Sequence, residues 1–334
     1  MKDAGTRLGG GPRLFGVLVT FQRPGELAES LAAIASQSRH LDGLVVVDND
    51  PNPVSASKVG RFADTIPGLI YLPSRSNLDA AGGRSLGSEI ILGWADDSDW
   101  VIFFDDDDPL PTSSLLGDLV EFAIRMKAQN PSVGGVGLRG ARMSPKTGRL
   151  HPGTRLGDGS VSVDHLHGGF FSMYEAQALR TVGSFCPELV WGREELELGL
   201  RMTHAGFKLY EAADLYDSVR HLMGHPDPLA RPRLALTSPS LRRYFALRNH
   251  LYILRTEGLP MQAASWAVAG LIKPVVSLPI RPRRGLTYLR MNFLAIRDGW
   301  MGRLGPRVWR DGRVTPVSGA NEQITEPLVE APPR

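Results

Sequence analysis

Short apolar runs alternate with segments of helical periodicity over the first 130 residues, and this alternation constrains the fold more than any other feature. The apolar runs of strand length are residues 14–20, 44–48, 69–72 and 100–105. Between the first two, Leu27, Leu31 and Ile34 recur at spacings of four and three residues, which places them on one helix face. Strands that alternate with helices predict a mostly parallel sheet with helices on its faces. This part of the chain is therefore predicted to be α/β.

The pattern is weaker after this region. Residues 133–174 break into short apolar pieces separated by glycine, and we assign no elements there. A helix is predicted to begin at Glu194, and a strand is predicted at 207–212. Residues 259–310 carry apolar and aromatic side chains among arginines. This composition predicts a basic helical region that either lies on an anionic membrane surface or caps the rest of the chain, and the two alternatives are weighed equally.

Composition excludes several classes of protein. Hydrophobic residues make up 42% and charged residues 22% of the chain, which rules out a wholly disordered or collagen-like chain. The single cysteine, Cys186, can form no intramolecular disulfide, and the N-terminal residues lack an apolar stretch of signal-peptide length. We therefore expect a cytoplasmic protein. The net charge of +3 averages an acidic cluster near residue 105 with a strongly basic C-terminal third.

Four consecutive aspartates, 105 to 108, end the fourth predicted strand. Adjacent carboxylates repel one another, so a nearby cation is needed to keep them ionised. Alternate residues of an extended segment face the same way, so Asp106 and Asp108 can point at one ion. Ligands of open α/β sheets bind beyond the carboxyl ends of the strands, where this cluster lies. The cluster therefore favours a divalent cation, Mg²⁺ or Mn²⁺, over a solvated acidic turn that caps the next helix.

Two further motifs carry groups suited to phosphate and proton chemistry. In NLDAAGGRSLG, residues 77–87, Gly82 and Gly83 allow close backbone approach and Arg84 lies near a helix start, so the motif can face a phosphate. Its spacing matches neither a P-loop nor a dinucleotide fingerprint. In WGREELELGLR, residues 191–201, three glutamates open a helix, although capping needs only one. A carboxylate that is partly desolvated near an aromatic ring is suited to take a proton from a hydroxyl.

His221, in the stretch VRHLMGH, follows a predicted strand and a polar turn. A lone histidine is more often a surface or core residue than a ligand. It becomes a candidate only as a third metal ligand beside the aspartates.

The order of these motifs resembles that of the family 2 glycosyltransferases of GT-A fold. The matching stretches, which span about residues 14–305, are TFQRPGELAESLAAIASQS, VVVDND, NLDAAGGRSLG, FFDDDDPLP, GREELELGLR, VRHLMG, YFALRN and AIRDGWMGRLG. Among the members, the chain is most similar to actinobacterial galactofuranosyltransferases that act on lipid-linked acceptors, with related rhamnosyltransferases next. The resemblance implies a GT-A fold: a mostly parallel nucleotide-binding sheet flanked by helices, with a helical C-terminal extension.

The resemblance also implies roles for single residues. The donor contacts it implies are Thr20, Asp48, Asn77, Arg84, Asp106 and Asp107, with Asp48 at the base and Arg84 at the diphosphate. The metal ligands it implies are Asp106, Asp108 and His221. The catalytic base it implies is Glu195, with Trp191 and Glu194 as acceptor contacts. The acidic pair is Glu-Glu where many members have Glu-Asp, and Asp79 and Asp105 also depart from the common pattern.

The activity implied by the resemblance is an inverting, metal-dependent sugar transfer. Mn²⁺ or Mg²⁺ and Arg84 would offset charge on the departing diphosphate while Glu195 deprotonates the acceptor hydroxyl. The donor is expected to be a UDP- or dTDP-sugar, with galactofuranose or rhamnose as the sugar. The acceptor is expected to be a glycan, a lipid-linked glycan or a natural product.

The expected organisation and location combine this resemblance with the composition of the chain. The predicted segments are a disordered tail at 1–12, a nucleotide-sugar-binding half at 13–130, an acceptor-binding and catalytic half at 131–256, a basic helical region at 257–310 and a disordered tail at 311–334. The protein is expected in the cytoplasm, with peripheral association with the inner face of the plasma membrane as an open alternative.

Two other classes of function are weighed against this one. A nucleotidyltransferase also uses paired aspartates and a divalent metal, but such enzymes commonly carry a Gly-rich loop with Lys or Arg directly after the first strand, where this chain has TFQRPGEL. The basic C-terminal region suggests a nucleic-acid-binding module. The clustered aspartates and the lack of a basic-aromatic binding motif argue against nucleic acid as a partner.

Overall fold

The computed structural model describes residues 11–223, 241–279, 282–310 and 313–316. Its strands, in chain order, are β1 (Leu14–Thr20), β2 (Gly43–Asp48), β3 (Leu69–Pro73), β4 (Trp100–Asp105), β5 (Val133–Gly137), β6 (Gly140–Met143), β7 (Leu150–His151), β8 (Thr154–Arg155), β9 (Ser160–Val163), β10 (His165–Leu166), β11 (Met173–Glu175), β12 (Lys208–Ala212), β13 (Arg307–Arg310) and β14 (Arg313–Pro316). Its helices are α1 (Pro24–Ala35), α2 (Pro53–Gly60), α3 (Asp79–Leu92), α4 (Leu115–Gln129), α5 (Ala176–Val182), α6 (Glu194–His204), α7 (Ala213–Val219), α8 (Leu241–Thr256), α9 (Pro260–Ser277) and α10 (Pro282–Trp300).

One large sheet organises the chain, with its strands in the order β3-β2-β1-β4-β11-β5-β12-β9-β8. The first four strands along the chain are parallel to one another. β11 is antiparallel to its neighbours β4 and β5, and β12 lies parallel to β5. The predicted α/β fold with a large, mostly parallel sheet and a helical C-terminal region is confirmed.

β1 lies at the centre of the parallel half, and all of its residues are buried. Leu14 and Leu18 belong to the apolar cluster that contains Leu27 and Leu31 of α1. Val17 belongs to a second cluster on the other face, together with residues of α3 and α6. A strand that is covered on both faces needs apolar side chains at every position, and this explains the unbroken run in the sequence.

The register of the parallel strands aligns polar side chains at one edge of the sheet. Thr20 of β1 is opposite Asp48 of β2, and Val19 is opposite Asp105 of β4. Because these strands are parallel, their carboxyl ends meet at the same edge. The strand ends thus bring Thr20, Asp48 and the aspartate run to one edge of the sheet, and their binding of a donor there stays a prediction.

The glycines of α3 allow this helix to pack closely against β1. A Cβ at Gly83 would lie 2.8 Å from Val19 Cγ1, and a Cβ at Gly87 would lie 2.5 Å from Val17 Cγ1. Both contacts are closer than side-chain packing allows, so the helix needs glycine there to approach the sheet. This close approach brings Arg84, which lies between them, to the carboxyl edge.

The three C-terminal helices α8, α9 and α10 pack against one another and against α6. Asn292 Nδ2 of α10 donates to the Gly270 carbonyl of α9 at 2.5 Å. Leu196 of α6 joins the apolar cluster of Leu251 in α8. The helical region therefore packs on α6, the helix that carries the predicted catalytic base Glu195. None of the helices described combines the length and the apolar character that crossing a bilayer needs.

Several elements differ from the sequence analysis. The helices α2, α5, α7 and α8 were not predicted, and residues 133–174, which carried no assignment, form the short strands from β5 to β11. The spacing of Leu86, Ile90 and Trp94 predicts a helix over residues 80–95, whereas α3 ends at Leu92. The predicted disordered tails lie mostly outside the described residues, but Arg313–Pro316 pairs with Arg307–Arg310 as a strand, so this part of the C-terminal tail is ordered.

Candidate active site

The end of β1 is joined to the aspartate run through Asp106. Thr20 Oγ1 donates to Asp106 Oδ2 at 2.8 Å, and Arg23 Nη1 donates to Asp106 Oδ1 at 3.2 Å. Arg23 also pairs with Asp107. Burial raises the pKa of Asp106, and hydrogen bonds from Thr20 and the Phe21 amide oppose that rise. Three of the predicted donor contacts therefore form one connected group.

Asp48, the last residue of β2, and Asn77, two residues before α3, lie beside this group. The Tyr71 hydroxyl donates to Asp48 Oδ2 at 2.7 Å, and burial together with this bond raises the pKa of Tyr71. Asn77 Oδ1 accepts from the Asp79 amide at 2.7 Å. Asn49, which the sequence analysis did not single out, donates to the Asp79 carbonyl at 3.1 Å and so ties β2 to the start of α3.

Arg84 is buried and lies among three carboxylates. Its Nη2 donates to Asp105 Oδ1 at 2.7 Å, and its Nη1 donates to Glu195 Oε1 at 2.8 Å. Glu194 Oε1 lies 3.5 Å from the same Nη1. Burial disfavours the charge of Arg84, but Asp105, Glu195 and Glu194 together raise its pKa. In this conformation Arg84 contacts protein carboxylates, and its contact with a diphosphate stays a prediction.

The two glutamates that begin α6 differ in their surroundings. Glu194 is only 4% exposed, and its Oε2 has no hydrogen-bond partner in the described parts of the chain. Burial, and next the charge of Glu195, raise the pKa of Glu194 to about 8, although Arg84 opposes the shift. The Glu195 side chain is more accessible, with 16% of its surface exposed. Glu195 is therefore the one of the two that can reach an acceptor, and the predicted acceptor contact of Glu194 stays a prediction.

Gly168 lies against Glu195, and Gly169 lies against Asp108 of the aspartate run. A Cβ at Gly168 would lie 2.2 Å from Glu195 Oε1, and a Cβ at Gly169 would lie 2.7 Å from Asp108 Oδ2. Gly169 also has a φ of +74°, a conformation that favours glycine. The two glycines therefore bring the backbone close to both carboxylates with no side chain in between.

The loop that contains Trp191, directly before α6, is strained. Trp191, Gly192 and Arg193 have φ values of 59°, 120° and 76°, so three successive residues are left-handed. Asn249 of α8 donates to the Val190 carbonyl at 3.0 Å and to the Gly192 carbonyl at 2.7 Å. The loop is therefore held from both sides of Trp191, whose ring is 47% exposed.

The predicted metal ligands are only partly brought together. Asp106 and Asp108 lie in the same turn after β4, whereas His221 is exposed in the turn after α7. Among the described residues, no three His, Cys, Asp or Glu side chains form a metal-binding group. The donor set nevertheless fits a hard cation, because Gly169 keeps open the space beside Asp108 and carboxylate oxygens suit Mg²⁺ and Mn²⁺. The full ligand set of Asp106, Asp108 and His221 stays a prediction.

Three site elements escaped the sequence analysis, each for a different reason. Gly168 and Gly169 lie in the stretch without periodicity, where only the doubled glycine was a signal. Asn249 stands in YFALRN, a motif that carried no role beyond the resemblance. Arg23 appears directly before α1 and resembles an ordinary turn residue. Only contacts distant in sequence reveal what these residues do.

Comparison with known proteins gives consistent matches. Residues 17–182 match the model of Glycosyl transferase family 2. Galactofuranosyltransferase GlfT1 of Mycobacterium tuberculosis (strain ATCC 25618 / H37Rv) is 30% identical over 275 residues, which cover 76% of this chain and 86% of that protein. Galactofuranosyltransferase GlfT1 of Mycolicibacterium smegmatis is 29% identical over 261 residues, which cover 73% of this chain and 83% of that protein.

A solved structure supports the same fold. The mannosyltransferase PcManGT from Pyrobaculum calidifontis, in complex with GDP-Man and Mn²⁺, superposes with a TM-score of 0.50 at 17% identity and covers 88% of each chain. At this identity the likeness concerns the fold alone.

Proposed function

The chain belongs to Glycosyl transferase family 2 and is a glycosyltransferase, and we propose that it transfers galactofuranose or rhamnose from a UDP- or dTDP-sugar to an acceptor hydroxyl with inversion. The sugar is proposed from the similarity to the two GlfT1 proteins, which are named galactofuranosyltransferases. The observation that best supports a transfer site is the shared guanidinium of Arg84, which connects Glu195 to Asp105 at the donor edge of the sheet.

Glu195 is the proposed catalytic base. Arg84 holds its Oε1 at 2.8 Å, and Oε2 makes no hydrogen bond to any described residue. One oxygen is thus fixed while the other is left for the hydroxyl of an acceptor. The proton passes from that hydroxyl to Glu195 as the oxygen attacks the anomeric carbon, and the bond to the diphosphate breaks on the opposite face.

The donor is proposed to lie along the carboxyl edge of the sheet. Asp48 would accept a hydrogen bond from the base, and Thr20 and Asn77 would line the ribose and phosphate side. Asp106 and Asp108 are the proposed metal ligands, with His221 as the third and Asp107 next to the donor. When bound there, Mn²⁺ or Mg²⁺ would stabilise the negative charge of the departing diphosphate. PcManGT, which shares the fold, was solved with Mn²⁺.

The acceptor side is proposed to be Trp191 and the space beside Gly168. An exposed indole can stack on the apolar face of a sugar ring while its edge stays hydrated. The acceptor is proposed to be a glycan, either lipid-linked or free, of a cell-wall or polysaccharide pathway, or else a natural product.

The proposed location is the cytoplasm, with peripheral association with the inner face of the plasma membrane. Exposed apolar side chains of α9 share one face of the helix; they are Met261, Val268, Ile272, Val275 and Val276. On α10, the exposed Leu286 and Phe293 alternate with Arg283 and Arg290. Apolar side chains flanked by arginines suit the surface of an anionic bilayer.

A donor screen tests the proposed transfer. The purified protein is incubated with Mn²⁺ and a panel of nucleotide sugars that includes UDP-galactofuranose and dTDP-rhamnose, and the release of UDP or dTDP is measured with and without candidate acceptors. Acceptor-dependent release supports the proposal. Release of pyrophosphate from a nucleoside triphosphate and a sugar phosphate would instead support the nucleotidyltransferase alternative.

A further inference from the structure

The Arg193 guanidinium stands out because it is partly buried and unpaired. It makes no ion pair and no hydrogen bond with any residue that the structure describes. Two buried arginines of this region do make such contacts. Arg84 pairs with carboxylates, although its Nε has no partner among the described residues, and Arg248 donates to the Gly305 and Glu188 carbonyls. Burial lowers the pKa of Arg193, and the charges of Glu195 and Glu194, neither of which contacts the guanidinium, oppose that shift. The N–H donors of Arg193 are therefore left for a bound anion.

Two buried imidazoles, those of His165 and His250, lie within the electrostatic reach of Arg193. Burial, and in addition the charge of Arg193, lower the pKa of His250 to about 3. Burial also lowers the pKa of His165, with His167 and Arg193 adding to the effect. Both imidazoles are therefore neutral near pH 7, and Nδ1 of His165 is buried without a hydrogen-bond partner among the described residues.

The backbone of Arg193 is held in a conformation that a side chain rarely adopts. Its φ of 76° follows those of Gly192 and Trp191 at 120° and 59°. Asn249 fixes this loop from α8, because it donates to the Gly192 carbonyl at 2.7 Å. Strain that the surrounding structure enforces is typical of binding and catalytic sites.

We propose that Arg193 binds an oxyanion carried by the acceptor, a phosphate or carboxylate group, while Glu195 two residues later removes the proton of its hydroxyl. This inference rests on the proposed function. A guanidinium suits the task because its fork of N–H donors matches the oxygens of phosphate and carboxylate. The donor diphosphate is not the proposed anion, because Arg193 acts electrostatically on His165 of β10 and His250 of α8, whereas the proposed donor contacts Thr20 and Asp106 lie at the carboxyl ends of β1 and β4.

The test measures anion binding while the donor site is filled. Thermal unfolding is recorded with saturating UDP and Mg²⁺, and hexyl phosphate, hexanoate or hexanol is then added. The variants are Arg193→Gln, Arg193→Lys and a matched control, Arg149→Gln, which removes an exposed arginine just before β7. Arg193→Lys keeps the positive charge but lacks the forked N–H donors of the guanidinium. It provides a second variant if Arg193→Gln folds poorly.

Hexyl phosphate is expected to raise the melting temperature of the wild type and of Arg149→Gln, to do so less for Arg193→Lys, and to leave Arg193→Gln unchanged. A shift with hexanoate in place of hexyl phosphate would assign a carboxylate-bearing acceptor. No shift in the wild type, or an equal shift in Arg193→Gln, would overturn the inference. The binding of UDP is measured in its own experiment, and a wild type that does not bind UDP would contradict the proposed function. The hexyl phosphate series repeated without UDP would in that case still decide the role of Arg193.

Discussion

Glu195 shares the Arg84 guanidinium with the end of β4: Arg84 Nη1 donates to Glu195 Oε1 at 2.8 Å while Nη2 donates to Asp105 Oδ1 at 2.7 Å. Glu195 and Arg84 are 111 positions apart in the chain. This contact joins α6, which carries the proposed base, to the edge of the sheet where the donor is proposed to bind. The two halves of the site are thus set at a fixed distance by a single buried side chain.

Replacing Glu195 by Gln is expected to lower the rate of transfer by about 100-fold or more, because the amide cannot take the proton of the acceptor hydroxyl. Nucleotide binding, measured by calorimetry, should stay near that of the wild type. The control is Glu197→Gln on the same helix, where Glu197 pairs with Arg201 instead of facing the site. Transfer by Glu195→Gln that equals the control would place the base elsewhere.

A methyl group at the glycine pair is expected to block the space between the substrates. Gly168→Ala would collide with Glu195, and Gly169→Ala would collide with Asp108, so each should lower transfer by about tenfold or more by misplacing a reacting group. Gly258→Ala is the matched control for Gly169, because its φ is +71° and a Cβ there meets nothing within 4 Å. If the control loses as much activity as Gly169→Ala, backbone strain is the cause and the steric account is wrong.

Asn249 is expected to position the acceptor loop. Asn249→Ala removes two hydrogen bonds to the loop and should lower the free energy of unfolding by about 1–3 kcal/mol. Beyond this loss, the KM for acceptor should rise while the KM for donor stays unchanged, and amide exchange over residues 188–195 should become faster. Asn292→Ala removes a comparable buried bond between α10 and α9. An equal rise of acceptor KM in Asn292→Ala would reduce the role of Asn249 to general stability.

The exposed face of α9 is expected to bind anionic vesicles. Val268→Glu places a charge on that face and should weaken flotation with liposomes that contain phosphatidylglycerol, and high salt should weaken flotation of the wild type. Val54→Glu is the control, because Val54 is similarly exposed on α2, at 54% against 60% for Val268. Failure of the wild type to float at low salt would leave α9 and α10 as a cap with no membrane role.

The fold of the first half follows from its sequence because the signals are local. A strand buried on both faces must be apolar throughout, and a helix face must repeat with its own period, so β1, β4, α1 and α4 are readable without tertiary information. The position of the aspartate run follows as well, since carboxyl ends of parallel strands share an edge. Prediction fails where an element is short or lacks periodicity, as between β5 and β11.

The site is predictable only as a set of residue types. The motif around Arg84 suggests a phosphate contact, and the family resemblance implies that Glu195 is the base, but the contact between the two depends on how α6 meets α3, which no local pattern encodes. The glycines of α3 illustrate the same limit. In the sequence, Gly82 and Gly83 suggested close backbone approach to a phosphate; the structure shows in addition that Gly83 and Gly87 let the helix approach Val19 and Val17 of β1.

The most direct test of the central claim is the metal dependence of nucleotide binding. Calorimetric titration with UDP and with dTDP is performed in Mn²⁺ and in EDTA, on the wild type, on Asp108→Asn and on Asp64→Asn, which removes an exposed aspartate elsewhere. Mn²⁺ is expected to tighten binding of one nucleotide by about tenfold or more in the wild type and in Asp64→Asn, and to have little effect on Asp108→Asn. Equal affinity in Mn²⁺ and EDTA for the wild type, or no binding of either nucleotide, would contradict a cation-assisted glycosyltransferase site at the end of β4.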